Sequence, residues 1–149
     1  MKKFALITLM GSFWMACPAQ KIKEADVPAA VKNAFATTFP NMKVSDWEKE
    51  NGNYEAEFKN KGTETSVLID ETGNILETEV EIPVTDLPGT ALAYLNENYK
   101  GRKITEAAKI TAADGMVSYE AEVSGKDLLF DSAGKFVRAA HEENADDRR

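Results

Sequence analysis

The sequence repeats one set of short motifs twice, and this duplication constrains the fold more than any other feature. Three motifs recur in the same order at offsets of 60 to 65 residues: Asp-Val-Pro at 26–28 and Asp-Leu-Pro at 86–88, Tyr-Glu-Ala-Glu at 54–57 and 119–122, and Ile-Asp-x-x-Gly at 69–73 and Phe-Asp-x-x-Gly at 130–134. Two similar units of about 60 residues therefore account for most of the chain.

Each unit predicts one helix followed by four short strands. Asp26 and Asp86 are expected to cap helices that hold Pro28 and Pro88 in their first turns and end near Phe39 and Tyr99. Alternating strands are predicted at 43–49, 53–60, 65–70 and 74–81, and again at 104–111, 116–123, 126–131 and 134–140. This pattern predicts an α+β fold, a tandem repeat of a helix followed by about four antiparallel strands, with the helices packed on one face of the sheet.

The N-terminus predicts export. Lys2 and Lys3 precede an apolar run at 4–16 that is shorter than a membrane-spanning helix requires. Cleavage before Gln20 is favoured, and the alternative is a lipoprotein anchored through Cys17, the single cysteine. We expect a signal peptide at 1–19, repeats at 20–82 and 83–140, and a flexible charged tail at 141–149, in a periplasmic or secreted protein without a transmembrane segment.

Charge and residue types exclude several classes of function. The net charge of −7 opposes nucleic-acid binding. His141 is the only histidine and has no nucleophile beside it in the sequence, so no catalytic set is predicted. A pair such as Glu55 and Glu57 on a wet strand gives no reason for raised pKa values. The segment 70–74 lacks the spacing of a calcium loop and predicts a hairpin turn instead, so neither a metal nor a cofactor is expected.

The candidate binding residues are Trp47, Glu55, Glu57, Glu120 and Glu122. The four glutamates alternate with core residues, so they form either an acidic stripe for basic side chains of a partner or an ordinary solvated sheet face, and the second interpretation is favoured. Trp47 corresponds to Ala107 in the second repeat, so it either packs in the core or at the junction of the repeats, which is favoured, or is an exposed binding anchor.

The order of these motifs over residues 24 to 140 resembles the PepSY-like family of exported bacterial proteins, which is also described as resembling β-lactamase-inhibitor proteins. The resemblance rests on the Val27-Pro28 and Leu87-Pro88 helix starts, the Tyr-Glu-Ala-Glu strands and the Asp-x-x-Gly hairpins. It implies a tandem module whose exposed sheet face binds another protein or peptide, and it implies no catalysis.

These observations together predict an exported, non-catalytic binding module with a protein-interaction or inhibitory role in the periplasm. The expected partner is another envelope protein or peptide. The alternative is a carrier of small ligands or ions that uses the groove between the repeats. A restraint on an envelope protease is a third hypothesis.

Overall fold

The computed structural model describes residues 19–141 and contains two α-helices and nine β-strands in that range. The helices are α1 (Ala29–Thr38) and α2 (Gly89–Asn98). The strands are β1 (Gln20–Ile22), β2 (Val44–Glu50), β3 (Asn53–Asn60), β4 (Thr63–Ile69), β5 (Ile75–Glu81), β6 (Ile104–Ala112), β7 (Val117–Val123), β8 (Lys126–Asp131) and β9 (Phe136–His141). Residues 1–18 of the predicted signal peptide, with Cys17, and residues 142–149 of the predicted tail lie outside the described range.

The described residues form two compact units. The first unit holds residues 19–81 together with Ile110–Met116, and the second holds Ile82–Lys109 together with residues 117–141. The segment Ile110–Met116 belongs with the first unit because the Ala113 N–H donates a hydrogen bond of 2.7 Å to the Leu76 carbonyl oxygen. In each unit, strands that follow one another in sequence pair in antiparallel fashion.

The core of the first unit forms where alternating strand residues meet the apolar stripe of α1. Tyr54, Ala56 and Phe58 of β3 belong to the same buried cluster as Val31 and Phe35 of α1. The Phe35 and Phe58 rings meet edge to face, with centroids 5.1 Å apart, an arrangement that aromatic rings favour. The strand period of two therefore places every second residue of β3 in this core.

The second unit uses equivalent positions with different side chains. Leu95 of α2 shares a buried cluster with Ala121 of β7 and with Leu128 and Phe130 of β8. Tyr94 stacks on Phe136 with centroids 4.5 Å apart. Burial of apolar side chains at matching positions in both units explains why apolar character is kept where the two repeats differ in identity.

The helix starts differ from the prediction. Asp26 and Asp86 do not cap the helices. Each ends a short 3-10 turn, Glu24–Asp26 and Val84–Asp86, and Pro28 and Pro88 take the cap positions without a side-chain hydrogen bond to the helix. Proline has no N–H to satisfy and its fixed φ suits this entry into a helix, so the proline alone sets the start and the aspartate is not needed as a cap.

Candidate binding face

The side chains of β2 to β5 that point away from the core of the first unit form an acidic face. Pairing places Glu48 opposite Glu55, Leu68 on the other side of Glu55, and Glu77 beyond Leu68. A second row runs in the same way through Asp46, Glu57, Ser66 and Glu79. We call these eight residues the acidic face. Adjacent strands lie about 4.8 Å apart, so six carboxyl groups surround Leu68 and Ser66 in two short rows.

Several of these carboxyl groups are buried. Glu55 is 1% exposed and Glu48 is 2% exposed, and Glu77 and Glu79 are buried as well. In the second unit Glu120 is 3% exposed. The prediction of a solvated face is therefore wrong for Glu55 and Glu120. Period-two alternation showed which way these side chains point but could not show that neighbouring side chains cover them.

Glu57 and Glu122, the second glutamates of the two repeated motifs, are half-buried. Glu57 lies between Asp46 and Ser66 in its row. It is therefore the glutamate of the repeated motif in the first unit that solvent still reaches.

Burial and neighbouring negative charges raise the pKa values of Glu55 and Glu57 on this face and of Glu50 at the end of β2. Burial raises the pKa of Glu55 to about 8, and the Glu57 and Glu48 carboxylates add to the rise. Burial followed by the Glu48 and Asp46 charges raises the pKa of Glu57, and burial followed by the Glu48 charge raises the pKa of Glu50. The expectation that paired glutamates on these strands have ordinary pKa values is therefore wrong, because that expectation assumed full hydration.

Oε1 of Glu55 and Oγ of Ser66 are fully buried, and neither forms a hydrogen bond of normal geometry within residues 19–141. The Ser66 hydroxyl is close enough to moderate the pKa of Glu55, but no hydrogen bond of normal geometry joins the two side chains. Buried polar atoms without partners are rare in folded proteins and each one requires an explanation.

Lysines occur only at the margins of this face. Lys21 of β1 forms an ion pair with Asp46, and Lys59 pairs with Glu64 at 2.7 Å near the turn between β3 and β4. The Lys21 and Lys59 side chains are 52% and 65% exposed. Both pairs therefore lie in water, where they add little stability, and neither lysine enters the centre of the face.

The equivalent positions in the second unit carry a different charge pattern. Arg138 replaces Glu77, Asp127 replaces Ser66 and Ala108 replaces Glu48. Glu122 accepts a hydrogen bond of 2.6 Å from the Thr105 hydroxyl, whereas Ser45, the equivalent of Thr105, donates to the Glu57 backbone carbonyl instead. The second unit thus has an arginine in place of Glu77, and a hydroxyl donates to the side chain of Glu122 where the equivalent hydroxyl donates to the backbone of Glu57.

Trp47 lies in the core of the first unit and is 5% exposed. Its ring meets the Phe35 ring edge to face at 6.0 Å. Core packing is therefore the correct interpretation, and the exposed-anchor interpretation is wrong. Trp47 is turned toward the core whereas Glu48, the next residue, belongs to the acidic face, so Trp47 is not part of the candidate surface.

Hydrogen bonds within the chain close the Asp-x-x-Gly turns. The Asp70 carboxylate accepts hydrogen bonds from Thr72 and Asn74, through both their backbone N–H groups and their side chains. These bonds hold the pKa of Asp70 below its usual range, the Thr72 side chain having the largest effect. A carboxylate surrounded by donors is a poor cation ligand. Across residues 19–141, no group of three or more acidic, histidine or cysteine side chains is arranged to hold a metal ion.

Sequence reasoning named Glu55 and Glu57 but missed Glu48, Ser66, Glu77 and Glu79, which the pairing of β2 to β5 brings beside them. Alternation within each strand could have found them, because each is an even number of residues from a position on the same face. The register that places them side by side is not readable from the sequence alone.

A family model matches the chain twice, at residues 12–77 and 63–138, and the family is described as "Putative beta-lactamase-inhibitor-like, PepSY-like". The chain belongs to the PepSY-like family. Two matches within one chain agree with the duplicated motifs, so this PepSY-like protein combines helices and an antiparallel sheet in two repeats. No curated protein matches its sequence.

Solved structures share the fold of this PepSY-like protein at low sequence identity. A DUF2874 family protein from Bacteroides uniformis is 20% identical, with 76% of this chain and 88% of that chain covered and a TM-score of 0.66. A BLIP-like protein from Bacteroides fragilis is 24% identical, with 82% of this chain and 92% of that chain covered and a TM-score of 0.61. A structure described as "putative periplasmic proteins" from Bacteroides eggerthii is 14% identical, with 76% of this chain and 88% of that chain covered and a TM-score of 0.68.

None of the helices between residues 19 and 141 is long and apolar enough to span a membrane.

Proposed function

We propose that this protein is an exported, non-catalytic binding module that engages another envelope protein or peptide through the acidic face of its first unit. The observation that carries the proposal is the concentration of six carboxyl groups on one side of β2 to β5, of which those of Asp46 and Glu57 remain partly exposed. A sheet needs no carboxyl groups there to fold, and burying them opposes folding. Their presence is therefore better explained by binding.

The arrangement of each unit supports this role. In our interpretation the helices cover one side of the sheet, as the contacts of Phe35 with Phe58 and of Tyr94 with Phe130 indicate. The other side carries the acidic face, of which Asp46 and Glu57 are the partly exposed members. The domain limits of 20–82 and 83–140 are part of this proposal.

Export is supported by the N-terminal signal pattern and by relatives. Lys2 and Lys3 precede a short apolar run, and one structure of the same fold is described as periplasmic. We infer that the mature chain begins near Gln20 and works outside the cytoplasm.

A binding role fits the chemistry of this face better than catalysis. A general acid must reach its substrate, but Glu55, the carboxyl group whose pKa is raised to about 8, is 1% exposed. Glu57 is partly exposed, but its neighbours in the row are Asp46, which pairs with Lys21, and Ser66, which is buried. We therefore assign no catalytic residue.

Affinity capture tests the proposal. Residues 20–149 serve as bait in an envelope extract at low and at high salt, and the bound proteins are identified by mass spectrometry. A specific protein that is retained at low salt and lost at high salt is the expected result, because salt screens charge pairs that solvent reaches. Absence of any enriched protein from a folded bait would contradict the binding role and would leave the carrier of small ligands or ions to be tested.

A further inference from the structure

The last strands of the two units, β5 and β9, correspond to each other. β5 pairs with β4 and β9 pairs with β8, and both pairings contain a register shift at the same place, next to the pair Ile69–Ile75 in the first unit and the pair Phe130–Phe136 in the second. An irregularity kept in both units fixes the alignment of the two strands. Their outer edges can therefore be compared position by position.

The outer edge of β5 is paired, whereas that of β9 is open. Within the first unit the segment Ile110–Met116 lies beside β5, and the Ala113 N–H donates a hydrogen bond of 2.7 Å to the Leu76 carbonyl oxygen. The equivalent of Leu76 is Val137 in β9. β9 is the last strand of the sheet, and no strand in the described part of the chain pairs with its other edge. Such an edge presents backbone N–H and C=O groups to which another strand can bond.

Side chains on β9 are exposed where their equivalents on β5 are covered. Leu76 and Thr78 are half-buried, whereas Val137 is 46% exposed and Ala139 is exposed as well. Of the residues that the structure describes, the exposed large apolar ones are Val137 and Met116. A strand added to β9 would take Val137 and Ala139 out of water, and burial of apolar surface favours association.

The beginning of β9 is held in a defined position. The Phe136 ring stacks on Tyr94 of α2 with centroids 4.5 Å apart and meets the Phe130 ring edge to face at 6.0 Å. These contacts anchor β9 to the core of the second unit. A strand that is already ordered loses little conformational entropy when it pairs, so this anchoring favours association.

The other edge strand, β1, is poorly suited to pairing. It has three residues, Gln20–Ile22, and its central residue, Lys21, forms an ion pair with Asp46. Short strands and lysines are means by which proteins protect sheet edges. β9 has six residues and contains neither lysine nor proline. Of the two edge strands, β9 is therefore the one that can accept another strand.

The charges around β9 are self-complementary in antiparallel orientation. Lys135 and Arg138 lie at the beginning of this segment, and Glu142 and Glu143 follow its end. When two copies of one segment pair in antiparallel fashion, the beginning of each copy lies against the end of the other, so basic residues meet acidic residues twice. Residues 82–141 contain 8 acidic and 7 basic side chains, so the second repeat adds little repulsion between two copies.

From these observations we infer that β9 pairs in antiparallel fashion with β9 of a second copy of this chain, which joins two second units into one continuous sheet around a two-fold axis. The pairing shares no residue with the acidic face, so it is independent of the proposed partner-binding function. A six-residue edge gives a small interface, and we therefore expect a weak dimer that dissociates at micromolar concentration.

Analytical ultracentrifugation of residues 20–149 from micromolar to millimolar concentration tests this inference. We expect a monomer–dimer equilibrium within that range. Hydrogen exchange measured at both ends of the range locates the interface, and the amides of β9 are expected to gain protection as the dimer forms while those of β1 do not. A chain that stays monomeric at millimolar concentration would overturn the inference, and so would a dimer without protection of β9.

Two matched substitutions separate pairing through β9 from general association. Val137→Lys and Met116→Lys make similar changes at the two exposed apolar positions, and Met116 lies in the turn between β6 and β7. We expect Val137→Lys to weaken the dimer about tenfold, because each copy then brings a lysine to the pairing edge. Met116→Lys should change the dissociation constant by about twofold or less, as for an ordinary surface substitution. Equal weakening by both substitutions would place the interface elsewhere.

Charge reversal tests the antiparallel orientation and does not depend on the folding of Val137→Lys. One variant carries Lys135→Glu, and the other carries Glu142→Lys and Glu143→Lys together. Each is expected to self-associate about tenfold more weakly than wild type, since like charges then face each other across the pairing. An equimolar mixture, with one variant fluorescently labelled, is expected to form mixed dimers because opposite charges meet again. Absence of mixed dimers would contradict antiparallel pairing.

An envelope protein bound at β9 in place of a second copy would also overturn the inference. In that case wild-type and Met116→Lys baits would capture the protein, the Val137→Lys bait would not, and the chain would stay monomeric. Failure of β9 pairing leaves the proposed function untouched, because capture through the acidic face is measured separately. An intact dimer without any captured protein would instead remove the proposed function alone.

Discussion

The backbone conformation and the surroundings of Gly73 and Gly134 explain why both Asp-x-x-Gly turns end in glycine. Both have positive φ, and a Cβ at Gly134 would lie 2.6 Å from the Pro88 Cβ and 2.9 Å from the Ala91 backbone nitrogen. A Cβ at Gly73 would lie 2.9 Å from the Ala30 carbonyl oxygen. Two of the repeated sequence motifs therefore meet in space, because the hairpin turn packs against the first turn of the helix in the same unit.

Gly134→Ala is expected to destabilise the protein more than Gly115→Ala. Both positions have positive φ, so both substitutions carry a backbone cost of about 1 kcal/mol, but a Cβ at Gly115 meets nothing within 4 Å. The clash at Gly134 adds about 1 to 3 kcal/mol. Urea unfolding followed by fluorescence of the buried Trp47 measures both variants. Equal midpoints would contradict the close packing of the turn against α2.

Glu55→Gln is expected to stabilise the protein in a pH-dependent way. The pKa of Glu55 is raised from 4.5 to about 8, so the folded state keeps a proton that the unfolded state releases, and the free energy of unfolding falls as pH rises through this window. With about 1.4 kcal/mol for each pKa unit, the rise from 4.5 to about 8 makes the gain from glutamine at pH 9 on the order of 5 kcal/mol. It should vanish at pH 4.

Urea unfolding at pH 4, 6, 8 and 9 measures this gain, with Glu97→Gln as the control. Glu97 lies exposed on α2, so its replacement makes the same chemical change at a site outside both cores. A profile for Glu55→Gln that runs parallel to the wild-type profile would show that Glu55 titrates normally and is hydrated.

The β4–β5 hairpin depends on the Asp70 carboxylate more than the β8–β9 hairpin depends on Asp131. Asp70 accepts hydrogen bonds from the Thr72 hydroxyl and the Asn74 amide in addition to two backbone N–H groups. Asp131 accepts only the backbone N–H groups of Ala133 and Lys135 among the bonds that define its turn. The aspartate side chain thus receives side-chain and backbone donors in the first repeat and backbone donors in the second.

We expect Asp70→Asn to lower the melting temperature at pH 7 more than Asp131→Asn does. Because the pKa of Asp70 is lowered in the folded state, its stabilising effect is present above the unfolded pKa of about 3.9 and is lost as the pH falls below it. The difference between wild type and Asp70→Asn should therefore shrink toward pH 2. Calorimetric melting curves at pH 7 and pH 2 provide the comparison. A difference that stays constant with pH would assign the effect to turn shape rather than to charge.

The strands and helices were largely predictable from the sequence because turn residues mark their limits. Asn51-Gly52 and Ser124-Gly125 both adopt positive φ at hairpin turns, as the dipeptides predict, and the predicted strand at 53–60 agrees with β3. β1 was missed, since its three residues Gln20–Ile22 have no pattern of their own and become a strand only by pairing with β2. The helix caps were misassigned because the preference of aspartate for the N-cap position was given more weight than the proline two residues later, which takes that position.

The candidate face was predictable only in part. Alternation correctly turned Tyr54, Ala56 and Phe58 inward and Glu55 and Glu57 outward. It failed to predict burial of Glu55, because burial depends on which side chains of other strands lie around it, and that requires the register. Trp47 could be assigned to the core by the spacing of β2, but its contact with Phe35 follows from tertiary packing.

The two repeats share a backbone plan but differ in chemistry. The first has Trp47 in its core and Glu77 on its acidic face, and the second has Ala107 and Arg138 at the corresponding positions. Such divergence agrees with the proposal that binding is a property of the first repeat. In this account, binding is localised to β2–β5 of the first repeat.

The most direct test of this claim is quantitative capture from an envelope extract with three baits in parallel: wild type, Glu57→Gln and Glu122→Gln. All three differ by at most one charge, so general attraction to an acidic protein affects the two variants equally. We expect the partner retained by wild type to be retained by Glu122→Gln and to fall about tenfold with Glu57→Gln. Equal recovery of the partner by both variants would contradict a binding site on the acidic face of the first repeat.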